Sequence, residues 1–439
     1  MENVDLIINA RWLVPVDQAN QVLEHHSVVI NDGRIVDLIP QQQATEKYHA
    51  ALSHDFEQHC VMPGLINSHT HSPMSLFRGL ADDLPLMTWL NEHIWPAEKR
   101  FVSDAFVEAG SELAIAEMLR GGTTCFNDMY FFPEATARVA EQSGIRACIG
   151  MIVIDFPTNW ASSVADYFHK GQQLHDHYRL HPRITTAYAP HAPYTVSDEP
   201  LSSLIMNAEE LDIPIHMHIH ETAGEVSQSV EQFGIRPLER LKDLGLLSPR
   251  LNAVHMTQLT EQEIEWCAES GVNVTHCPES NLKLASGFCP VAQLNAQGIN
   301  VAIGTDGAAS NNDLDMFAEM KQTALLAKAV AQDASAVPAH TALEMATING
   351  AKTLGIDDIT GSLEIGKAAD LIAVDLSNVE TQPIYDVVSQ LVYATGRDSV
   401  TDVWVDGKHL LNNRQLTTLN PAQIIHNSQL WAEKIRQAD

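Results

Sequence analysis

From residue 65 onward the chain repeats one pattern: a short apolar or β-branched run, a polar residue or turn at its end, then a longer stretch of mixed polarity. The runs are LINSHTH (65–71), TTCFNDM (123–129), RACIGMIVI (146–154), ITTAYAPH (184–191), PIHMHIHE (214–221), LNAVHM (251–256), NVTHCPES (273–280) and NVAIGTDG (300–307). Between them, segments such as 104–120 and 199–211 place apolar residues every three to four positions, as amphipathic helices do. Eight strand-then-helix units predict an α/β fold, a closed (β/α)₈ TIM barrel over residues 62–360. The flanks, 1–61 and 361–413, alternate with a period of two and carry Asp-Gly turn pairs, as in VVINDGRIVDLI and VTDVWVDGKHLL. They predict one small β-sandwich built from both chain ends, with the barrel inserted between its halves. Residues 414–439 close the chain, and PAQIIHNSQLWAEKIR (421–436) reads as an amphipathic helix.

Composition narrows the class without changing the fold. No apolar run approaches the ~18 residues that span a bilayer, and MENVDLIINARWLVP lacks a basic leader and cleavage site, so a cytoplasmic protein with no membrane partner is expected. The six cysteines include no Cys-x-x-Cys pair, which argues against a disulfide framework or structural zinc knot. A formal net charge of −30 repels a polyanion, so nucleic acid is not an expected partner.

The chemistry lies at the ends of the runs. In a (β/α)₈ barrel the catalytic groups stand at the C-terminal strand ends. Strand one offers His69 and His71, strand four His191, strand five a histidine cluster and Glu221, strand six His255 and strand eight Asp306. Each has an innocent reading on its own: a strand-end histidine bonded to loop backbone, or Asp306 capping the next helix. Together, three histidines and an aspartate supply nitrogen and oxygen ligands suited to zinc or a similar divalent ion, with a fifth position left for water. His216, His218 and His220 alternate and should all face the barrel interior. Glu221 lies three residues beyond His218, where the strand has ended; this favours His218 as a ligand and Glu221 as a proton carrier, with His216 one layer deeper and His220 unassigned.

The series PGLINSHTH, HIHE, NAVH, HCPESNLKLASG and GTDGAASNNDLDM, with PLMTWLNEHIWPAEKR after strand one, resembles the amidohydrolase superfamily. Within it, PLMTWLNEHIWPAEKR and PESNLKLASG are similar to the 5-methylthioadenosine/S-adenosylhomocysteine deaminases. The resemblance implies that His69, His71, His218 and Asp306 bind one metal, usually zinc. It implies that Glu221, His255 and Asp306 act on the water and its protons. It also places Glu98 and His191 against the substrate, with Trp89 walling the pocket and Glu221 and Asp306 reaching the reacting ring. An arginine between strands three and four touches substrate in some members; Arg179 and Arg183 both stand there, and neither is assigned. AYAPHAPYT offers no lysine to bridge a second metal, so one ion is expected.

The implied activity is hydrolytic deamination of an adenine nucleoside, with a small molecule as partner and a homo-oligomer compatible with the sequence. Two alternatives stand beside it: a sister enzyme acting on guanine, cytosine or a triazine through the same metal site, and a barrel kept only for structure. Alone, Trp89 and Trp95 would read as core aromatics, and Glu98 as a surface carboxylate paired with Lys99 and Arg100.

Overall fold

The computed structural model describes residues 1–437; the last two residues of the segment expected over 414–439 lie outside the described residues. Eight parallel strands pair in chain order: Leu65–Thr70, Thr123–Met129, Arg146–Val153, Ile184–Pro190, Ile215–Ile219, Leu251–His255, Asn273–His276 and Val301–Ile303, numbered one to eight below. They fall on the eight predicted runs; His71, His191, Glu221 and Asp306 lie past the last paired residues of their strands, and His255 is the last paired residue of its own. Seven of the eight strands are buried at every position. That is why they read as continuous apolar runs: helices cover the outside and side chains fill the inside.

Strand eight is short, and among the described residues no backbone ladder joins it to strand one. The seam is closed by the chain just after the strand. Asn67 Nδ2 donates to Thr305 Oγ1 at 2.7 Å, Thr305 N–H donates to Asn67 Oδ1 at 3.0 Å, and Asp306 N–H donates to His69 O at 3.0 Å. Gly304 permits this approach, since a Cβ there would lie 2.7 Å from His69 N and 2.8 Å from His69 Cβ. Two metal-ligand candidates from opposite ends of the barrel sequence are thereby brought side by side.

The chain ends form a second sheet of eight strands, joined at its centre by Tyr48–Pro63, which pairs in parallel with Glu2–Leu13 and antiparallel with Leu371–Asp375. Its hairpins Leu23–Asn31/Arg34–Pro40 and Val400–Val405/Lys408–Asn412 turn at Asp32-Gly33 and Asp406-Gly407, where all four residues have positive φ. This is the two-residue turn that the Asp-Gly pairs predict. The sheet reaches Pro63 on one side and Leu416 on the other. Leu6, Ile8 and Ala10 pack with Leu371, Ala373 and Trp404 in the small domain's own core, while the alternating Cys60, Met62, Ile372 and Val374 join the barrel core. Arg146, which begins strand three, forms a buried ion pair with Asp370 at 2.8 Å, tying the barrel base to the sheet. The final helix, Pro421–Arg436, sets Trp431 edge-on against Phe106 of helix Asp104–Arg120 at 5.2 Å. All six cysteines are buried and unbridged, and no described helix is long and apolar enough to cross a membrane.

Candidate active site and metal centre

Strand one delivers His69 and His71 to the barrel mouth, the seam delivers Asp306, and strand five delivers His218. His69 Nε2 and His71 Nε2 each lie 3.3 Å from Asp306 Oδ1, and His218 Nε2 lies 3.2 Å from His69 Nε2. Bonds of roughly 2.1 Å to one ion would separate neighbouring ligand atoms by about 3.4 Å, so His69, His71 and Asp306 are spaced to share an ion, and His218 approaches that group through His69. The other ring nitrogens are turned away and held. His71 Nδ1 donates to Met129 O at 2.5 Å, His218 Nδ1 donates to His191 O at 2.7 Å, and His69 Nδ1 meets His216 Nε2 at 2.7 Å. Bonds of this kind orient ligating imidazoles and select their tautomer. His255 also comes within reach of His69 and His218, so the spacing alone defines two overlapping donor groups.

Electrostatics suit such a centre. Burial holds His69 and His218 below the usual imidazole range, keeping them neutral and able to ligate. Burial alone would raise the Asp306 carboxyl, but the His69 hydrogen bond and the nearby His71 and His255 outweigh it and hold the group well below its ordinary value. Asp306 Oδ2 accepts from Ser280 Oγ at 2.7 Å and Ser310 Oγ at 3.1 Å, while Gly307 N–H donates to Oδ1 at 2.7 Å. Glu221 goes the other way: burial, then the charges of Asp306 and Glu225, push it well above the usual carboxyl range, which favours its protonated form.

Strand five separates its three histidines by geometry that alternation could not supply. His216 sits one layer below, its Nδ1 facing the Asn127 and Asn252 amides at 2.9 and 2.7 Å. His218 reaches the donor group. At His220 the backbone enters the left-handed region, φ 54°, and the ring swings to Leu238 N–H at 3.2 Å and toward Glu263 at 3.6 Å, away from the mouth. The same turn aims Glu221 into the cavity.

That cavity encloses about 440 Å³ and is walled mainly by apolar side chains. His71, Trp89, Glu98, His191, His218, Glu221, His255 and Asp306 all line it. Glu98 accepts from Tyr130 Oη at 2.7 Å; burial outweighs that bond and brings its carboxyl up to about 7. His191 Nδ1 lies 2.9 Å from Thr195 Oγ1, and burial lowers the ring to about 3. The Asn281 amide lies 3.0 Å from His255 Nδ1, and His255 Nε2 lies 3.8 Å from Glu221 Oε2.

The sequence profile of the Amidohydrolase family matches residues 60–410. This chain belongs to the amidohydrolase family. Over 432 residues the amidohydrolase is 53% identical to the 5-methylthioadenosine/S-adenosylhomocysteine deaminase of Saccharophagus degradans, spanning 98% of this chain and 97% of that protein. An adenosine deaminase of Xanthomonas campestris, crystallised with bound zinc, superposes with a TM-score of 0.98 at 54% identity, covering 99% of both chains. The zinc complex of atrazine chlorohydrolase from Arthrobacter aurescens superposes at 0.91 with 22% identity over 97% of this chain and all of that one, a likeness of fold alone.

Around the amidohydrolase's cavity stand further groups that the strand-end pattern does not single out. Tyr130 stands one residue past strand two, a strand end overlooked for lack of histidine. Ser280 and Asn281 lie in the short helix Pro278–Lys283 and Ser310 in the turn after strand eight, where polar residues could serve any cap or turn. Arg179 and Arg183 line a separate hollow with Ile184 or lie beside it at the start of strand four, and no arginine lines the described cavity.

Proposed function

We propose that this amidohydrolase removes the exocyclic amino group of the adenine ring in 5′-methylthioadenosine, S-adenosylhomocysteine and/or adenosine, giving the inosine analogue and ammonia. The observation that carries the reading is one apolar cavity lined by His71, His218 and Asp306, with His69 buried behind them, and by Glu221 and the Glu98–Tyr130 pair. Near identity of architecture with deaminases at over half-identical sequence supports it.

His69, His71, His218 and Asp306 would hold one divalent metal, and a nitrogen-rich set of this kind favours zinc. When bound, the metal supplies a water acidic enough to lose a proton near neutral pH. Asp306 takes that proton, its carboxylate held in position by the Ser280 and Ser310 hydroxyls. His255 donates through Nε2 to orient the attacking oxygen. Glu221 gives its proton to ring N1 while oxygen bonds to C6, so the ring accepts the electron pair and C6 becomes tetrahedral. The proton held by Asp306 passes to the amino nitrogen, the C6–N bond breaks, and ammonia leaves. The remaining water proton returns to Glu221. His191 contacts the ring or its leaving group, Glu98 takes the ribose hydroxyls, and Trp89 covers the 5′ substituent.

A small nucleoside is thus the partner. The acidic surface speaks against nucleic acid, and we place the enzyme in the cytoplasm, as a monomer or homo-oligomer. Ammonia release across adenine nucleosides, free adenine, guanine, cytosine and triazines tests the reading. Nucleosides are expected to exceed the free bases and triazines at least tenfold; equal or better turnover of guanine or a triazine would replace this function with that of a sister enzyme.

A further inference from the structure

Glu225 is used by no step above, yet it is 7% exposed and both of its oxygens are engaged. It occupies the third position of helix Ala223–Phe233, whose N-cap Thr222 accepts from Glu225 N–H at 3.2 Å. In a capping box a glutamate there bonds back to the cap residue's own N–H. Here its strong bonds go further back, Oε1 to His220 N–H at 3.0 Å and Oε2 to Glu221 N–H at 2.7 Å. These are the two amides of the left-handed turn at His220, a conformation that L-residues with a Cβ rarely adopt unassisted. The carbonyl side of the same turn is held by Thr257, whose Oγ1 donates to Glu221 O at 2.7 Å and whose N–H donates to His220 O at 3.0 Å.

We infer that Glu225 is a positioning residue: its carboxylate clamps the His220–Glu221 amides, holds the left-handed turn, and so aims the Glu221 side chain at the substrate ring. Without the clamp, strand alternation would return the His220 ring toward the mouth and turn Glu221 away. This rests on the deaminase reading for its effect on turnover, but the clamp itself is a property of the fold.

The test uses the metal-loaded, full-length Glu225→Gln variant. Its amide nitrogen cannot accept, so one of the two backbone N–H groups loses its partner. Hydrogen exchange at the His220 and Glu221 amides is expected to quicken at least tenfold. The kcat per metal-loaded site should fall at least tenfold, with KM within threefold of wild type and metal content unchanged. A glutamate that merely stabilised the helix would lower the yield of active enzyme and leave kcat per loaded site intact. Unchanged exchange at the two amides, or a kcat per loaded site within threefold of wild type, overturns the clamp. If wild type deaminates nothing on the panel, the function reading fails while the exchange measurement still decides the clamp. Should Glu225→Gln not fold, Thr257→Val releases the turn from its carbonyl side; quickened exchange with a lower kcat per loaded site supports the clamp, and no change in either overturns it.

Discussion

Glu98 shows how a single carboxylate changes meaning with its surroundings. Beside Lys99 and Arg100 it looks like one member of a solvated ion pair, yet its side chain enters the cavity and takes the Tyr130 hydroxyl. Charge-assisted hydrogen bonds to two ribose hydroxyls would be worth roughly 1.5 to 3 kcal/mol each. Glu98→Ala is therefore expected to cut the preference for adenosine over 2′,3′-dideoxyadenosine by tenfold or more while metal content stays constant; an unchanged preference places the ribose elsewhere. The same residue sets a pH signature. Its carboxyl ionises near its ordinary value in the unfolded chain but at about 7 when folded, chiefly through burial. The stability it contributes is fully present below the ordinary carboxyl range and is lost as pH rises toward 7, after which the difference is constant. Relative to wild type, Glu98→Gln should gain stability between pH 4.5 and 7 and run parallel above it, measurable by denaturant titration across that range. Glu221 separates proton transfer from metal binding. Glu221→Gln should retain metal and lose turnover, whereas His69→Ala, His71→Ala, His218→Ala or Asp306→Ala should lose both; an active Glu221→Gln enzyme removes Glu221 from the mechanism.

Among the elements, the barrel strands were legible because a buried parallel strand must be apolar throughout and its functional group must sit at its end. That Glu221 leaves the pleat was legible from its place past the end of strand five; where His220 turns was not, because the left-handed turn there is held by Glu225 in the next helix and by Thr257 after strand six. The two arginines were in principle decidable. They follow helix Val164–Tyr178, which returns the chain to the start of strand four, so topology sends them to the barrel base. The helical stretch Leu86–Phe101 was recognised only as a long connection; it contains a wide turn over Trp89–Ile94, closed by Trp95 N–H to Leu90 O. Wide turns of this type shift the side chains that follow and recur at functional sites. Here Trp89, 6% exposed, and Trp95 both line the cavity, so the core-aromatic and pocket-wall descriptions apply to the same ring. A methylthio group gains about 0.8 kcal/mol per buried CH₂ equivalent, and roughly two such units amount to about tenfold in an equilibrium. Trp89→Ala should thus raise KM for methylthioadenosine about tenfold more than for adenosine. Equal losses would assign Trp89 to packing alone.

At the scale of the whole molecule, the donor cluster and the barrel seam coincide. Strand eight contributes only Val301–Ile303, and the closure to strand one rests on Asn67, Thr305 and a single Asp306–His69 backbone bond, not on a ladder. Three of the four proposed ligands, His69, His71 and Asp306, straddle that seam, and the fourth, His218, comes from strand five on the facing wall. An ion bound by all four would join strand one to strand eight and both to the opposite side, a cross-link at the place where the backbone supplies least. A ligand that binds only the folded state stabilises it by RT ln(1 + [L]/Kd), about 4 kcal/mol when free metal exceeds Kd a thousandfold. Removing the metal with a chelator should therefore lower the melting temperature and quicken hydrogen exchange at Thr305 and Asp306, with little change at Leu371–Asp375 in the small domain's sheet, and restoring zinc should reverse all of it. Asp306→Ala, already lacking a seam ligand, should melt near the chelated wild type and respond weakly to either treatment. A wild type that loses its metal with no change in melting temperature or seam exchange would mean that the ion is held by one wall of the mouth, and that the seam closes without it.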